Sequence, residues 1–331
     1  MEHSVRHSGT GPASSDQHAR HQRQRQHQRR SSRASKRIRK YWQLYLLLAP
    51  VIAYYVIFHY IPMYGVQIAF KNFLAVKGIA GSDWIGFAHF ERFFNSYYLW
   101  RLLRNTIGIS LYELAVSFPI PIVLALFLNE VRHQGFKRFV QTVTYAPHFL
   151  STVVLVGILF LFLSPYGGMV NQVLGLFGAK PVSFMTDPSW FKTVYVFSGV
   201  WQQMGWSSII YLAALSSVDP QLHEAARVDG ASRLQRIVHI NLPCIMPTIV
   251  VLLILNTGTI MGVGFEKVFL MQNTVNIEAS EVISTYVYKT GIIGSQFSYS
   301  AAIGLFNAVA NFILLIIVNQ LAKRMNETSL W

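Results

Sequence analysis

Six long apolar blocks recur along the chain, separated by polar or mixed stretches: Leu44–Pro62, Ile107–Leu128, Thr144–Leu163, Val194–Leu215, Cys244–Phe265 and Ala301–Leu321. Each holds about 19 to 22 residues, roughly 30 Å of α-helix, which matches the hydrocarbon thickness of a bilayer. The pattern predicts an all-α polytopic membrane protein with six transmembrane helices. The first block is longer than the apolar region of a signal peptide, and no small-residue cleavage site follows it. It is therefore expected to stay as an anchor. No fixed-period repeat and no second soluble domain is legible.

Composition sharpens this picture. Only 13% of the residues are charged and 52% are hydrophobic, whereas a soluble domain is about a quarter charged. The formal charge of +14 would fit nucleic-acid binding if it were spread over a folded face. It is not: eleven of the 28 Lys and Arg lie in the first 40 residues. That tail, with text such as "HARHQRQRQHQRRSSRASKRIRK", has almost no large apolar residues to bury. Residues 1–40 are read as a disordered basic tail held near anionic lipid, and residues 41–331 as the membrane domain.

Charge also orients the spans. The tail, the "NEVRHQGFKR" turn, the loop 216–243 and the "AKRMNETSLW" end fall on one side and carry 19 basic residues, against nine on the other. The positive-inside rule makes that side cytoplasmic, with both termini inside. On the outer side, the aromatic stretch Ser82–Asn105 suits a helix lying at the interface. Cys244 is the single cysteine, so a disulfide within the chain is impossible and a small buried core residue is expected.

The loop between the fourth and fifth blocks reads "LHEAARVDGASRLQRIVHINLP". Its "HEAAR" begins like a zinc site, yet a metalloprotease needs a second histidine at the fifth position, where Arg227 stands. A guanidinium stays charged and repels a divalent cation, so no metal is expected. The residues instead encode a short helix. Asp219 can cap it, Pro220 suits its first position and Gly230 its end. Leu222, Ala225 and Ala226 share one face, with Glu224 and Arg227 at its edge. About nine residues is too short for a stable isolated helix, so a partner surface is implied.

These residues resemble a known motif. Glu224-Ala225-Ala226, three residues, Gly230, nine residues and Ile240-x-Leu242-Pro243 match the EAA loop of permease subunits of ABC importers. The stretches "FHYIPMYGVQIAFKNF", "FPIPIVLALFLNEV", "YAPHFLS" and "ETSLW" resemble the sugar-permease branch that handles oligosaccharides and polysaccharide fragments. The resemblance covers about residues 41–331 and implies a type I importer architecture in the bacterial cytoplasmic membrane. It implies that the loop is a coupling helix seated in a cleft of an ATPase subunit. It further implies two ATP-binding subunits carrying ATP and Mg, a second related permease and an extracytoplasmic solute-binding protein. No G-x-x-x-x-G-K-[ST] occurs in this chain, so it is expected to bind no nucleotide or other cofactor itself and to have no catalytic residues.

Polar groups inside spans mark candidate contacts for a carbohydrate. Glu113 is the one acidic residue well inside a block, where it either faces a pathway or bonds a neighbouring helix. Trp201, Gln202 and Gln203 in "VWQQMGW" offer a stacking face and amides, although Trp also packs helices. Tyr145 and Asn256 complete the candidates. Asn307 and Asn311, at i and i+4, are read as helix-to-helix contacts. Pro119, Pro121 and Pro147 bend helices, and His148 is read as a satisfied buried histidine. Arg101 and Arg104 either attract an anion or snorkel to the interface. Two other classes stay open on the residues alone. A self-sufficient secondary transporter would use Glu113 as an ion or proton site. A membrane-embedded enzyme would need paired carboxylates, and the carboxylates here are scattered.

Overall fold

The computed structural model describes residues 40–326, so nearly all of the basic tail and the terminal "ETSLW" lie outside the described residues. Two compact units divide the chain, one ending at Val66 and the other beginning at Gln67. Almost every element is helical. The exception among the described residues is a pair of two-residue strands, β1 (Lys71–Asn72) antiparallel to β2 (Asp83–Trp84), with Lys71 opposite Trp84.

Helix α1 (Trp42–Tyr55) opens a helical run that continues to Phe70. A π-turn at Val56–Tyr60 precedes Pro62. The same device recurs at Ile237–Asn241 before Pro243. In both places the proline ring would collide with the carbonyl four residues earlier, at Phe58 or His239, and wider i→i+5 bonding there relieves the clash.

Helices α2 (Tyr98–Ser117) and α3 (Pro119–Glu130) follow one another through Phe118 and together form a 33-residue apolar run. A short helix, Ala88–Phe94, precedes them within the aromatic stretch Ser82–Asn105 and buries Phe93, whose ring meets Phe306 edge-on at 5.5 Å. Helix α4 (Gln134–Tyr145) ends in a 3₁₀ turn carrying Pro147, and α5 (Thr152–Phe162) restarts after Ser151 caps it. The two halves are bent by 104°. The expected third span, Thr144–Leu163, is thus broken. The chain leaves helical geometry at Leu150 and Ser151, both extended, and the Ser151 hydroxyl accepts from Val154 N–H to start the next helix.

Helix α6 (Pro188–Ser216) is 29 residues long, or about 43 Å. Asp187 caps it by accepting from Ser189 N–H at 2.9 Å. It packs against α2, α3 and α4, and buries aliphatic and aromatic residues on several faces. Helix α7 (Pro220–Val228) follows, then a capping box at Ser232 and a helical run Arg233–Thr257 whose last part is α8 (Leu242–Thr257). The fifth block therefore ends at Thr257 rather than Phe265. Gly258–Gly264 is a non-helical crossing whose Met261 N–H donates to Asn311 Oδ1 at 2.9 Å, and Phe265 opens α9 (Phe265–Met271). The expected helix-to-helix bond of Asn311, on the long final helix α10 (Phe297–Asn326), goes instead to this non-helical crossing, and Asn307 Oδ1 is buried without a hydrogen-bond partner among the described residues. Cys244 is exposed, not buried in a core. An apolar residue on a membrane helix can face outward, and hydropathy does not tell the two sides apart.

Among the described residues, four helical runs are long and apolar enough to cross a membrane: Trp42–Phe70, Tyr98–Glu130, Arg233–Thr257 and Phe297–Arg324. The bent α4–α5 pair makes a fifth if counted as one span. The expected fourth span, Val194–Leu215, lies wholly inside α6. That helix carries Lys192, Gln202, Gln203 and several serines, which lower its mean hydropathy.

Candidate functional site

Regular spacing builds a polar cavity between α2, α6 and the end of α8. On α2, Ser110, Glu113 and Ser117 stand at i, i+3 and i+7; on α6, Gln203, Ser207 and Tyr211 stand at i, i+4 and i+8. Each set shares one face of its helix. The two faces meet, and Asn256 at the end of α8 with Thr259 beyond it closes the third wall. The enclosed space is about 390 Å³, within the size range of ligand cavities. Of the substrate-pathway candidates, the structure brings together Glu113, Gln203 and Asn256.

The other three candidates have different settings. Trp201 turns to a separate apolar recess with Leu163, Phe184 and Trp190. It sits two positions from Gln203, about 200° around the helix. Gln202 is buried and donates to the Leu150 carbonyl at 2.9 Å, which fastens the corner between α4 and α5 to α6. Tyr145 packs at Gly205, where a Cβ would lie 2.1 Å from the Thr144 carbonyl oxygen. His148 joins this seam. Its Nδ1 is 2.8 Å from Gln203 Oε1, and its ring stacks on Trp206 at 4.3 Å.

Glu113 has a counter-charge that sequence reading missed. Lys267 on α9 donates to the Tyr195 carbonyl at 2.7 Å, lies 4.6 Å from the Tyr195 ring centroid and interacts electrostatically with Glu113. Both side chains reach the open side of Gly199, where a Cβ would stand 3.2 Å from Lys267 Nζ and 4.0 Å from Glu113 Oε1. The cavity therefore presents hydroxyls, amides and one partnered carboxylate. Such a lining can exchange hydrogen bonds with a polyhydroxylated solute. Among the described residues, no three His, Cys, Asp or Glu are grouped to hold a metal.

At the C-terminal end of α6 stands α7. Asp219 Oδ1 accepts from Gln221 N–H at 2.9 Å and Pro220 takes the first turn. Gly230 has φ +78°, and Ala231 N–H donates back to the Ala226 carbonyl at 2.8 Å. Only glycine adopts that backbone without strain, and the back-bond closes the helix in a Schellman-type end. Nothing on α7 is buried: Leu222, Glu224, Ala225 and Arg227 are exposed and Ala226 is half-buried. The segment after it is anchored. Buried Arg236 and Asn241 both reach Glu130 at the end of α3, at 3.6 and 3.5 Å.

Comparison with known proteins agrees with this arrangement. Residues 117–327 match the family described as binding-protein-dependent transport system inner membrane component. The chain is 46% identical over 288 residues to the polygalacturonan/rhamnogalacturonan transport system permease protein YteP of Bacillus subtilis (strain 168), covering 87% of this chain and 90% of that protein. It is 27% identical to the arabinooligosaccharides transport system permease protein AraP of the same organism, over 85% of this chain and 88% of that one. Among solved structures, a chain of a bacterial ABC transporter involved in the import of the acidic polysaccharide alginate superimposes with a TM-score of 0.83. The two are 42% identical over 89% of this chain and 99% of that one. The same scores hold for that alginate transporter in complex with an alginate pentasaccharide-bound periplasmic protein. The chain belongs to the family of binding-protein-dependent transport system inner membrane components, the permease subunits of ABC importers.

Proposed function

We propose that this chain is one half of the translocation pathway of an ATP-driven importer for carbohydrates, namely oligosaccharides or polysaccharide fragments. It crosses the membrane six times, with α6 and the bent α4–α5 pair among the spans and with both termini cytoplasmic. The observation that carries the reading is α7: a helix capped at both ends that buries none of its own residues. A nine-residue helix does not persist alone in water, so its face of exposed Leu222 and Ala225 and half-buried Ala226 calls for a docking partner. The partner we infer is an ATPase subunit, which binds ATP and Mg and favours one of two global states through its contacts with α7. Glu224 and Arg227 supply charged contacts at the rim.

The cavity of Glu113, Gln203 and Asn256 then contributes to a pathway shared with a second, related permease, loaded by an extracytoplasmic binding protein. Support for the substrate class comes from the names of the relatives and from the hydroxyl- and amide-rich lining. The family assignment, together with the Lys267 counter-charge at Glu113, favours this reading over a self-sufficient secondary transporter.

The test is sugar uptake and ATP hydrolysis measured together in proteoliposomes holding the complete transporter. Gly230→Asp and Glu224→Lys are expected to leave assembly and basal hydrolysis in place while uptake falls at least about tenfold, equivalent to about 1.4 kcal/mol of lost coupling. Wild-type uptake by both variants at equal expression would refute the coupling role of α7.

A further inference from the structure

The start of α6, at the opposite end from α7, adjoins a second polar recess of about 780 Å³, between the first turns of α2, the first turns of α6 and the short helix Ile277–Ser280. Its charge is unbalanced. Behind its wall the buried Glu281 is already held by two cations: the guanidinium of Arg101, which lines the recess, bonds one oxygen, and Lys289 Nζ lies 3.4 Å from the other. Lys289 also donates to Gln272 Oε1 at 2.5 Å. That network carries a net positive charge.

Two further cations face the recess from neighbouring helices, Arg104 on α2 and Lys192 on α6. Neither has an ion pair or hydrogen bond among the described residues, and their charges repel. Glu278 also lines the recess but pairs with no cation among the described residues; its backbone carbonyl accepts from Asn105. The approach of Lys192 depends on a glycine. A Cβ on Gly108 would lie 2.9 Å from Lys192 Nζ, so the missing side chain lets the ammonium reach across to α2. On the rim, Tyr97 and Trp100, three positions apart and 86% and 77% exposed, present broad rings to whatever enters.

Like charges brought together at a partly desolvated site cost free energy that an anion recovers. Aromatic faces beside a carboxylate-binding pair suit a sugar ring, whose apolar face stacks while its acid group meets the cations. Resting on the carbohydrate-importer reading, we propose that the Arg104–Lys192 recess is an outer subsite for a carboxylated sugar residue, which selects acidic over neutral oligosaccharides before they reach the central cavity.

The experiment uses the complete transporter in its own membrane. The rate at which an amine-acylating reagent modifies Lys192 is read by peptide mass spectrometry, with exposed Lys180 as internal control. Tetragalacturonate and its fully methyl-esterified counterpart are the probes, and uptake of both is followed in the same preparation. Tetragalacturonate should protect Lys192 and the ester should not, and protection should fade at high salt. Arg104→Gln should raise the half-protecting concentration about fivefold, the upper end for a partly exposed ion pair, while Arg104→Lys retains most of it.

Equal protection by acid and ester would overturn the charge-selective subsite, as would protection that survives Arg104→Gln. Uptake of tetragalacturonate without protection of Lys192 would overturn the subsite and leave the importer reading standing. Uptake of neither sugar, with no protection, would remove the carbohydrate reading and the subsite together. Protection present without sugar, and lost on exchange into neutral lipid, would mark a lipid phosphate as the occupant and overturn the proposal.

Discussion

The helical run Trp42–Phe70 and helix α6 invert the usual association between apolarity and burial. The first is apolar enough to stand out at once, yet none of its most apolar stretch is buried. The second is interrupted by Ser, Gln and Lys, yet it buries Phe191, Val196, Gln202, Ser208 and Tyr211 among its neighbours. In water, burial and hydrophobicity go together. In a membrane the apolar surface already has an apolar solvent, so side chains that meet lipid must be greasy. Those that meet protein or a cavity are free to be polar. Hydropathy therefore marks the surface of such a fold, and its irregularities mark the interior.

If that contrast is right, sensitivity to substitution should concentrate on α6 and on the side chains bonded to it, Lys267 among them. Gly205→Leu should have the largest effect, because any Cβ there meets the backbone of Thr144. A loss of about 3 kcal/mol or failure to assemble is expected, read as a lowered thermal-aggregation midpoint in detergent. Lys267→Met comes next: it strands Glu113 beside the cavity at about 2–3 kcal/mol. The double variant with Glu113→Gln should recover most of that loss, and strictly additive costs would show that the two charges do not support each other. Gln202→Leu should remove about 1–2 kcal/mol by leaving the Leu150 carbonyl without its donor. At the other extreme, Leu47→Ala on α1 should change the midpoint little, within about 0.5 kcal/mol. A large effect at Leu47 would break the comparison, since it would mean that this face is held by a protein partner rather than by lipid.

Sequence legibility followed how local each signal was. The ends of α7 were readable because Asp219, Pro220 and Gly230 act on backbone within one turn of themselves. The 104° corner after Pro147 was not, because the block Thr144–Leu163 carries apolar residues on both sides of it and the break depends on Ser151 and on the Gln202 bond arriving from α6. Lys267 was missed for a related reason. The fifth block was extended to Phe265, which set Lys267 in an outer loop, whereas Gly258–Gly264 brings it back toward Glu113. Of the neighbours Trp201, Gln202 and Gln203, helical geometry sends only Gln203 to the cavity. Composition could nominate all three. Choosing among them needed the register of α6 against α2, which the paired spacings Ser110–Glu113–Ser117 and Gln203–Ser207–Tyr211 do encode.

The modest hydropathy of α6 also bears on biosynthesis. A segment so interrupted by polar groups gains little by partitioning alone from the translocation channel into lipid. Its three most extensive packing partners, α2, α3 and α4, are encoded upstream, although Ile277–Ser280 and α8 join it later, so those three have already emerged when residues 188–216 are synthesised. The order of the elements along the chain thus supplies a protein surface onto which α6 can insert, and a truncated chain beginning after α3 should leave this helix stalled at the channel or exposed to proteases.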